Sequence, residues 1–176
     1  DQLIYGSTLG FVFLSAVEVL DGHSSNWGAS SGDIFANATG TAIYVSQELL
    51  WNEQRIIPKF SFHTTQYAAL RPNVLGESFS EQMLKDYNGQ TYWLSVNFHS
   101  FFKESKIPQW LNVAVGYGAD GMIYSKTNSD SVFNYPNVTP FRQFYFSFDA
   151  DLTKIKTNSH LLKTIFSVVN MIKIPA

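Results

Sequence analysis

Residues 91–101 read TYWLSVNFHSF, with Tyr92, Leu94, Val96 and Phe98 alternating against Trp93, Ser95, Asn97 and His99. A two-residue period puts the first set on one face of an extended strand and the second on the other. The same rhythm recurs at 56–68, 111–119 and 142–152. In the third segment Leu111, Val113, Val115 and Tyr117 oppose Asn112, Ala114, Gly116 and Gly118. In the fourth Phe144, Phe146 and Phe148 oppose Tyr145, Ser147 and Asp149. One face is bulky and apolar and the other small or polar, so residues 56–176 are expected to form an antiparallel β region.

Two architectures accept such strands. A soluble sandwich or lipocalin-like barrel would turn the aromatic face to its core, whereas an outer-membrane barrel would turn it to lipid and keep small and polar residues inside. Gly116 and Gly118 opposite bulky residues, and Tyr67, Tyr92, Trp110 and Tyr124 near segment ends as interfacial aromatics, favour the membrane barrel. His63 and His99 share the parity of Lys59 and Trp93 and would then line a lumen. Four strands fall short of the roughly eight a small barrel uses, so further strands or partner contacts are expected. Between strands, SEQMLKDY at 80–87 has short helical promise, and 126–140 reads as an exposed loop. The terminal SHLLKTIFSVVNMIKIPA sets Leu161, Leu162, Ile165, Phe166, Val169 and Ile172 on one stripe, with Lys163 and Lys173 off it. That amphipathic helix could plug a barrel, lie on a membrane or pack as a core helix.

Upstream the period changes. LIYGSTLGFVFLSAVEVL at 3–20 carries only Glu18 as a charge, and IFANATGTAIYVSQELLW at 34–51 carries only Glu48, so an apolar helical hairpin is predicted over 1–55. Gly6, Ser7, Thr8, Gly10 and Ser15 dilute the first stretch, which favours burial in protein over lipid exposure. The turn EVLDGHSSNWGASSGDIFANATG at 18–40 gathers the acidic residues. Ser30 or Ser31 can cap the second helix, Asp33 then sits where the macrodipole favours an anion, and Asn37 and Gly40 follow on the same face. A short return brings Glu18 and Asp21 toward Asp33 and Asn37, with His23 and Trp27 in the turn. Carboxylates so placed could separate into an acid and a base, or with His23 ligate a hard or borderline metal, whose identity spacing leaves open. The structural reading is stronger: a helix N-terminus explains Asp33, a turn explains Asp21-Gly22, and a solvated loop explains His23.

This acidic residue ending one apolar helix, followed by Asp33-x-x-x-Asn37-x-x-Gly40 opening the next, resembles the VanZ-like superfamily. It looks closest to a branch of unknown function described as periplasmic lipoproteins of Gram-negative envelopes. On that resemblance Glu18, Asp21-Gly22, Trp27-Gly28, Asp33, Asn37 and Gly40 match its first half. The run from Lys85 through Asp86, Asn88 and Gln90 to Trp93, then Trp110-Leu111-Asn112 and Gly116-Tyr117-Gly118, looks like its downstream half. The resemblance implies envelope biology without a defined reaction, and implies that these 176 residues are an excerpt of a longer chain.

Composition narrows the classes. The chain is 16% aromatic and only 15% charged, which favours an envelope or membrane setting. Net charge is −2 without a basic run, so no nucleic acid is expected as partner. The absence of cysteine excludes disulfides and thiolate metal sites, and any lipid-anchor cysteine must lie outside these residues. No Ser-His-Asp spacing, glycine-rich phosphate loop or zinc signature is present, so no cofactor is expected. The expected fold is therefore α+β: an apolar hairpin with an acidic corner over 1–55, then antiparallel strands of a small outer-membrane β-barrel and a C-terminal amphipathic helix over 56–176. The expected function is a noncatalytic outer-membrane structural or accessory subunit of an envelope assembly, facing the periplasm in part, with outer-membrane lipid and other envelope proteins as partners. The alternative is a periplasmic or membrane-associated enzyme or lipid-binding protein using Glu18, Asp21, Asp33 and Asn37.

Overall fold

The computed structural model describes residues 2–21, 31–123 and 138–173. It is a mixed α+β structure containing a four-stranded antiparallel sheet and several helices, in two compact units, Asp1–Gln54 and Arg55–Ala176.

In the first unit α1 (Gln2–Asp21) and α2 (Ser31–Trp51) lie in contact. The segment joining them is outside the described residues. α2 stops where Asn52 adopts a φ of 52° and its N–H returns to the Glu48 carbonyl at 3.0 Å, an asparagine occupying the left-handed position that closes many helices. Gln54 reinforces this end, donating to the Glu48 carboxylate at 3.0 Å and the Tyr44 carbonyl at 3.2 Å while accepting from Gln47 at 3.0 Å. Among the described side chains of α1, Leu9 and Phe13 are each 69% exposed, and a Cβ on Gly10 would meet nothing within 4 Å. The apolar residues of α1 are spread around its whole circumference, so one neighbouring helix covers only one side. Among the described residues no helix is long and apolar enough to cross a membrane.

In the second unit β1 (Ile56–Phe62), β2 (Gln90–Asn97), β3 (Leu111–Asp120) and β4 (Phe141–Ala150) pair in sequence order, each antiparallel to the next. Two strands are shorter than their alternation implied. After β1 the chain turns into α3 (Tyr67–Leu70), because the Thr65 hydroxyl accepts from the Tyr67 amide and donates to Asp86. After β2 it turns into α6 (Phe98–Phe101), because the Asn97 side chain accepts from the Ser100 amide at 2.8 Å and caps a helical turn. His63 therefore lies just past β1 and His99 in a short helix, so neither extends the inner face of a strand. Between α3 and β2 lie α4 (Pro72–Leu75) and α5 (Phe79–Lys85). α5 opens with a full capping box, Ser78 accepting from the Glu81 amide while Glu81 accepts from the Ser78 amide. Backbone amides of Glu77 and Ser78, then Lys85, hold the Glu81 carboxyl below the usual range, so this cap is intact at neutral pH and weakens as the medium acidifies through that lowered pKa.

Gly89, between α5 and β2, is required by a close approach. A Cβ there would overlap the His63 carbonyl oxygen and lie 2.7 Å from the Phe62 ring, beside the bond by which the His63 amide reaches the Gly89 carbonyl. Gly89→Ala is therefore expected to cost about 1–3 kcal/mol, read as a lowered urea midpoint with unchanged slope.

The expected barrel is not closed among the described residues: β1 and β4 share no ladder. After β4 the chain passes through a 3-10 turn (Leu152–Lys154) and α7 (His160–Val169) and returns to the free edge of β1. There the Phe60 amide donates to the Met171 carbonyl at 2.9 Å and the Lys173 amide to the Phe60 carbonyl at 2.8 Å.

Candidate functional site

The register stacks side chains of one parity into rows across the sheet. Lys59, Trp93, Gly116 and Tyr145 form one row; Ser95, Ala114 and Ser147 form the next; Asn97, Asn112 and Asp149 form a third. This face is the buried one. Lys59, Ser61, Trp93, Ser95, Asn97, Asn112 and Ala114 are all buried, while Tyr92, Leu94, Val115, Tyr117, Phe144, Phe146 and Phe148 on the opposite face are exposed. The ordinary polarity of a soluble sheet is thus inverted.

Lys59 shows how the polar face is held. Its ammonium reaches from β1 to the Asp149 carboxylate on β4 at 2.7 Å and to the Ala150 carbonyl at 2.8 Å. In a flat sheet β1 and β4 stand about 14 Å apart, well beyond a lysine side chain, so the sheet must curl with this face concave. Lys59 also donates to Asn170 just beyond α7, at 3.1 Å. From Asp149 the network runs back across the strands: Ser95 donates to Asp149 at 2.6 Å, Asn112 to Ser95 at 2.8 Å, and Asn97 to Asn112 at 2.6 Å and to the Gln109 carbonyl at 2.7 Å. Asn170 ties in the far side, accepting from the Leu152 amide and donating to Asp151 at 3.2 Å. In the Lys59 row Trp93 lies against Gly116, where a Cβ would come within 2.7 Å of the indole. Trp93 donates to Ser61 at 2.9 Å, and the Lys173 ammonium stands 4.4 Å above its ring centroid.

A second polar cluster closes one end of the sheet. Asp86, fully buried, accepts from the Thr65 hydroxyl at 2.6 Å and from the Asn88 amide and side chain. Asn88 in turn exchanges bonds with the Met122 backbone, and Gln90 donates to the Met83 carbonyl at 2.9 Å. Burial, and next the Asp120 carboxylate, push the Tyr67 phenol above its ordinary value. The polar residues of the 85–93 run are therefore joints between loop and sheet.

Chemically, these carboxylates are engaged. Asp149 is paired with the Lys59 ammonium, and Ser95 donates its hydroxyl hydrogen to Asp149 instead of standing against a base. The Asp151 Oδ2 atom alone in this network is buried without a hydrogen-bond partner. No group of three or more His, Asp or Glu among the described residues is placed to hold a metal. A shallow open depression of about 490 Å³ lies beside α6, lined by Arg55, Phe101, Phe102 and Lys103.

Of the sequence-predicted cluster, Glu18 and Asp21 fall near the end of α1 and Asp33 in the first turn of α2, with their side chains outside the described residues. His23 and Trp27 lie outside the described residues altogether. Asn37, one turn beyond Asp33 in α2, is half-buried, and its carbonyl accepts from the Thr41 hydroxyl at 2.9 Å. A Cβ on Gly40 would meet nothing within 4 Å, so packing does not explain that glycine. The Lys59–Asp149 network was missed by sequence reasoning, although a lysine at inner parity in one strand and an aspartate at inner parity in another were its visible signal. Comparison with protein-family models, with curated proteins and with solved structures gives no match.

Proposed function

We propose that the chain is a noncatalytic outer-membrane protein of a Gram-negative envelope, a structural or accessory subunit whose sheet belongs to a lipid-facing barrel completed by further strands. The resemblance to the VanZ-like superfamily agrees with an envelope setting. The observation that carries the reading is the inverted sheet. Phe144, Phe146 and Phe148 are 75%, 73% and 70% exposed on the convex face, while a lysine, an aspartate and two asparagines are sequestered on the concave one. Leaving water is worth roughly 1.5–3 kcal/mol for each such ring, so a sheet that exposes its phenylalanines and buries its asparagines is built for surroundings less polar than its own interior. The ten-residue length of β3 and β4 matches the 9–11 residues of a tilted spanning strand.

The test is fractionation of the native protein with carbonate washing, and gel migration with and without boiling. Retention in the outer-membrane pellet together with a heat-dependent shift is expected. Complete release by carbonate with no shift would overturn the integral barrel.

A further inference from the structure

We infer that α7 lies in the plane of an anionic phospholipid surface, its apolar side in the acyl boundary and the lysines around it among the headgroups. This deepens the membrane reading above and rests on it for its setting. Residues 152–173 contain none of the fourteen acidic residues and four of the twelve basic ones; Lys173 is buried against Trp93 while Lys156 and Lys163 are exposed, so the accessible charge of this segment is positive in a chain that is negative overall. Within α7 Leu161 is 70% and Val168 62% exposed, with Leu162, Ile165 and Val169 also exposed on that side. Lys163 stands off that stripe, and Lys154 and Lys156 precede the helix. An exposed apolar stripe flanked by lysines with no carboxylate is the composition of an interfacial helix.

Two further observations favour a bilayer over a protein partner. The hydroxyls on the polar side are turned back on the helix, Thr164 donating to the His160 carbonyl and Ser167 to the Lys163 carbonyl, so that side offers diffuse positive charge more than a pattern of hydrogen bonds. The apolar surface also continues into the sheet: Ile172, 59% exposed just beyond α7, pairs with Phe60 of β1. Helix stripe and strand face would then meet one hydrocarbon boundary, and this helix would mark where the sheet emerges from it.

The full chain, diluted from urea, is floated with vesicles of phosphatidylcholine or of phosphatidylcholine with equimolar phosphatidylglycerol, and each floated pool is washed with carbonate. Wild type is expected to prefer the anionic vesicles, and Lys156→Gln with Lys163→Gln to bind them about 30-fold more weakly, at about 1 kcal/mol for each lysine near the surface. Added salt should erase the difference, and Leu161→Ser with Val168→Ser should weaken binding to both kinds of vesicle. The two lysine substitutions sit on exposed side chains, so folding is not at stake. Equal flotation of wild type and the lysine variant on anionic vesicles overturns the inference even if the protein resists carbonate and shifts on heating. Lysine-dependent flotation that carbonate reverses leaves the inference standing and overturns the integral barrel. A dimer dissolved by the leucine and valine substitutions, without lysine dependence on vesicles, would assign the stripe to a second copy of the chain and overturn it also.

Discussion

Lys59→Ala is expected to lower the unfolding free energy by about 3–5 kcal/mol, the range for removing one partner of a buried ion pair. The side chains of Lys59 and Asp149 are 1% and 9% exposed. Removing the ammonium leaves the carboxylate with Ser95, while the Ala150 carbonyl and Asn170 lose a donor. Each stranded polar group adds its own desolvation cost, about 1–3 kcal/mol. In a urea titration in mild detergent the midpoint should fall by roughly 1–3 M at an unchanged slope. The double variant Lys59→Met with Asp149→Leu should recover more than half of the loss, because the uncompensated charge is the largest part of it. A single-variant loss below about 1 kcal/mol would mean that water screens the pair as it does at a surface, and the sequestered polar face would then not be the element holding β1 to β4.

Much of this β region is visible in the sequence, for a definite reason. Strand side chains alternate strictly, so Tyr92, Leu94 and Val96 against Trp93, Ser95 and Asn97 state the two faces without reference to any partner. The strand ends are harder to read, because single side-chain bonds decide them. Asn97 caps α6 and ends β2 in the middle of an unbroken alternation, and past β1 the Thr65 hydroxyl turns the chain by accepting from the Tyr67 amide. Which face is enclosed is also absent from the periodicity, since the alternation is identical whether the aromatic side meets a core or a hydrocarbon. Curvature decides it, and curvature appears only when Lys59 is seen reaching Asp149. The polar network has the same character: its members lie far apart in sequence, and strand register alone brings Asn97, Asn112 and Asp149 into line.

Phe146→Lys separates a lipid-facing sheet from one that is merely exposed. Phe146 stands in the middle of β4, paired with Val115 at the middle of β3, on the convex face. If that face meets hydrocarbon, a lysine there should cost about 2–4 kcal/mol, and Phe148→Lys, nearer the strand end, measurably less, since the penalty falls toward zero at the interfaces. The native sequence already follows this gradient: Arg142 occupies the same parity at the opposite end of β4, where a long side chain can reach water. Phe146→Leu controls for lost ring packing and should cost a fraction of the lysine variant. The readout is the amount of heat-shifted, carbonate-resistant protein in the outer-membrane fraction, with the urea midpoint in phospholipid vesicles as its quantitative counterpart. In water the penalty vanishes, because replacing a 73% exposed phenylalanine by lysine removes apolar surface from solvent and should leave stability unchanged while raising solubility. A Phe146→Lys protein that is more soluble and equally stable would therefore place the aromatic face in water or against a partner protein, whereas loss graded by depth along β4 would place it in the bilayer.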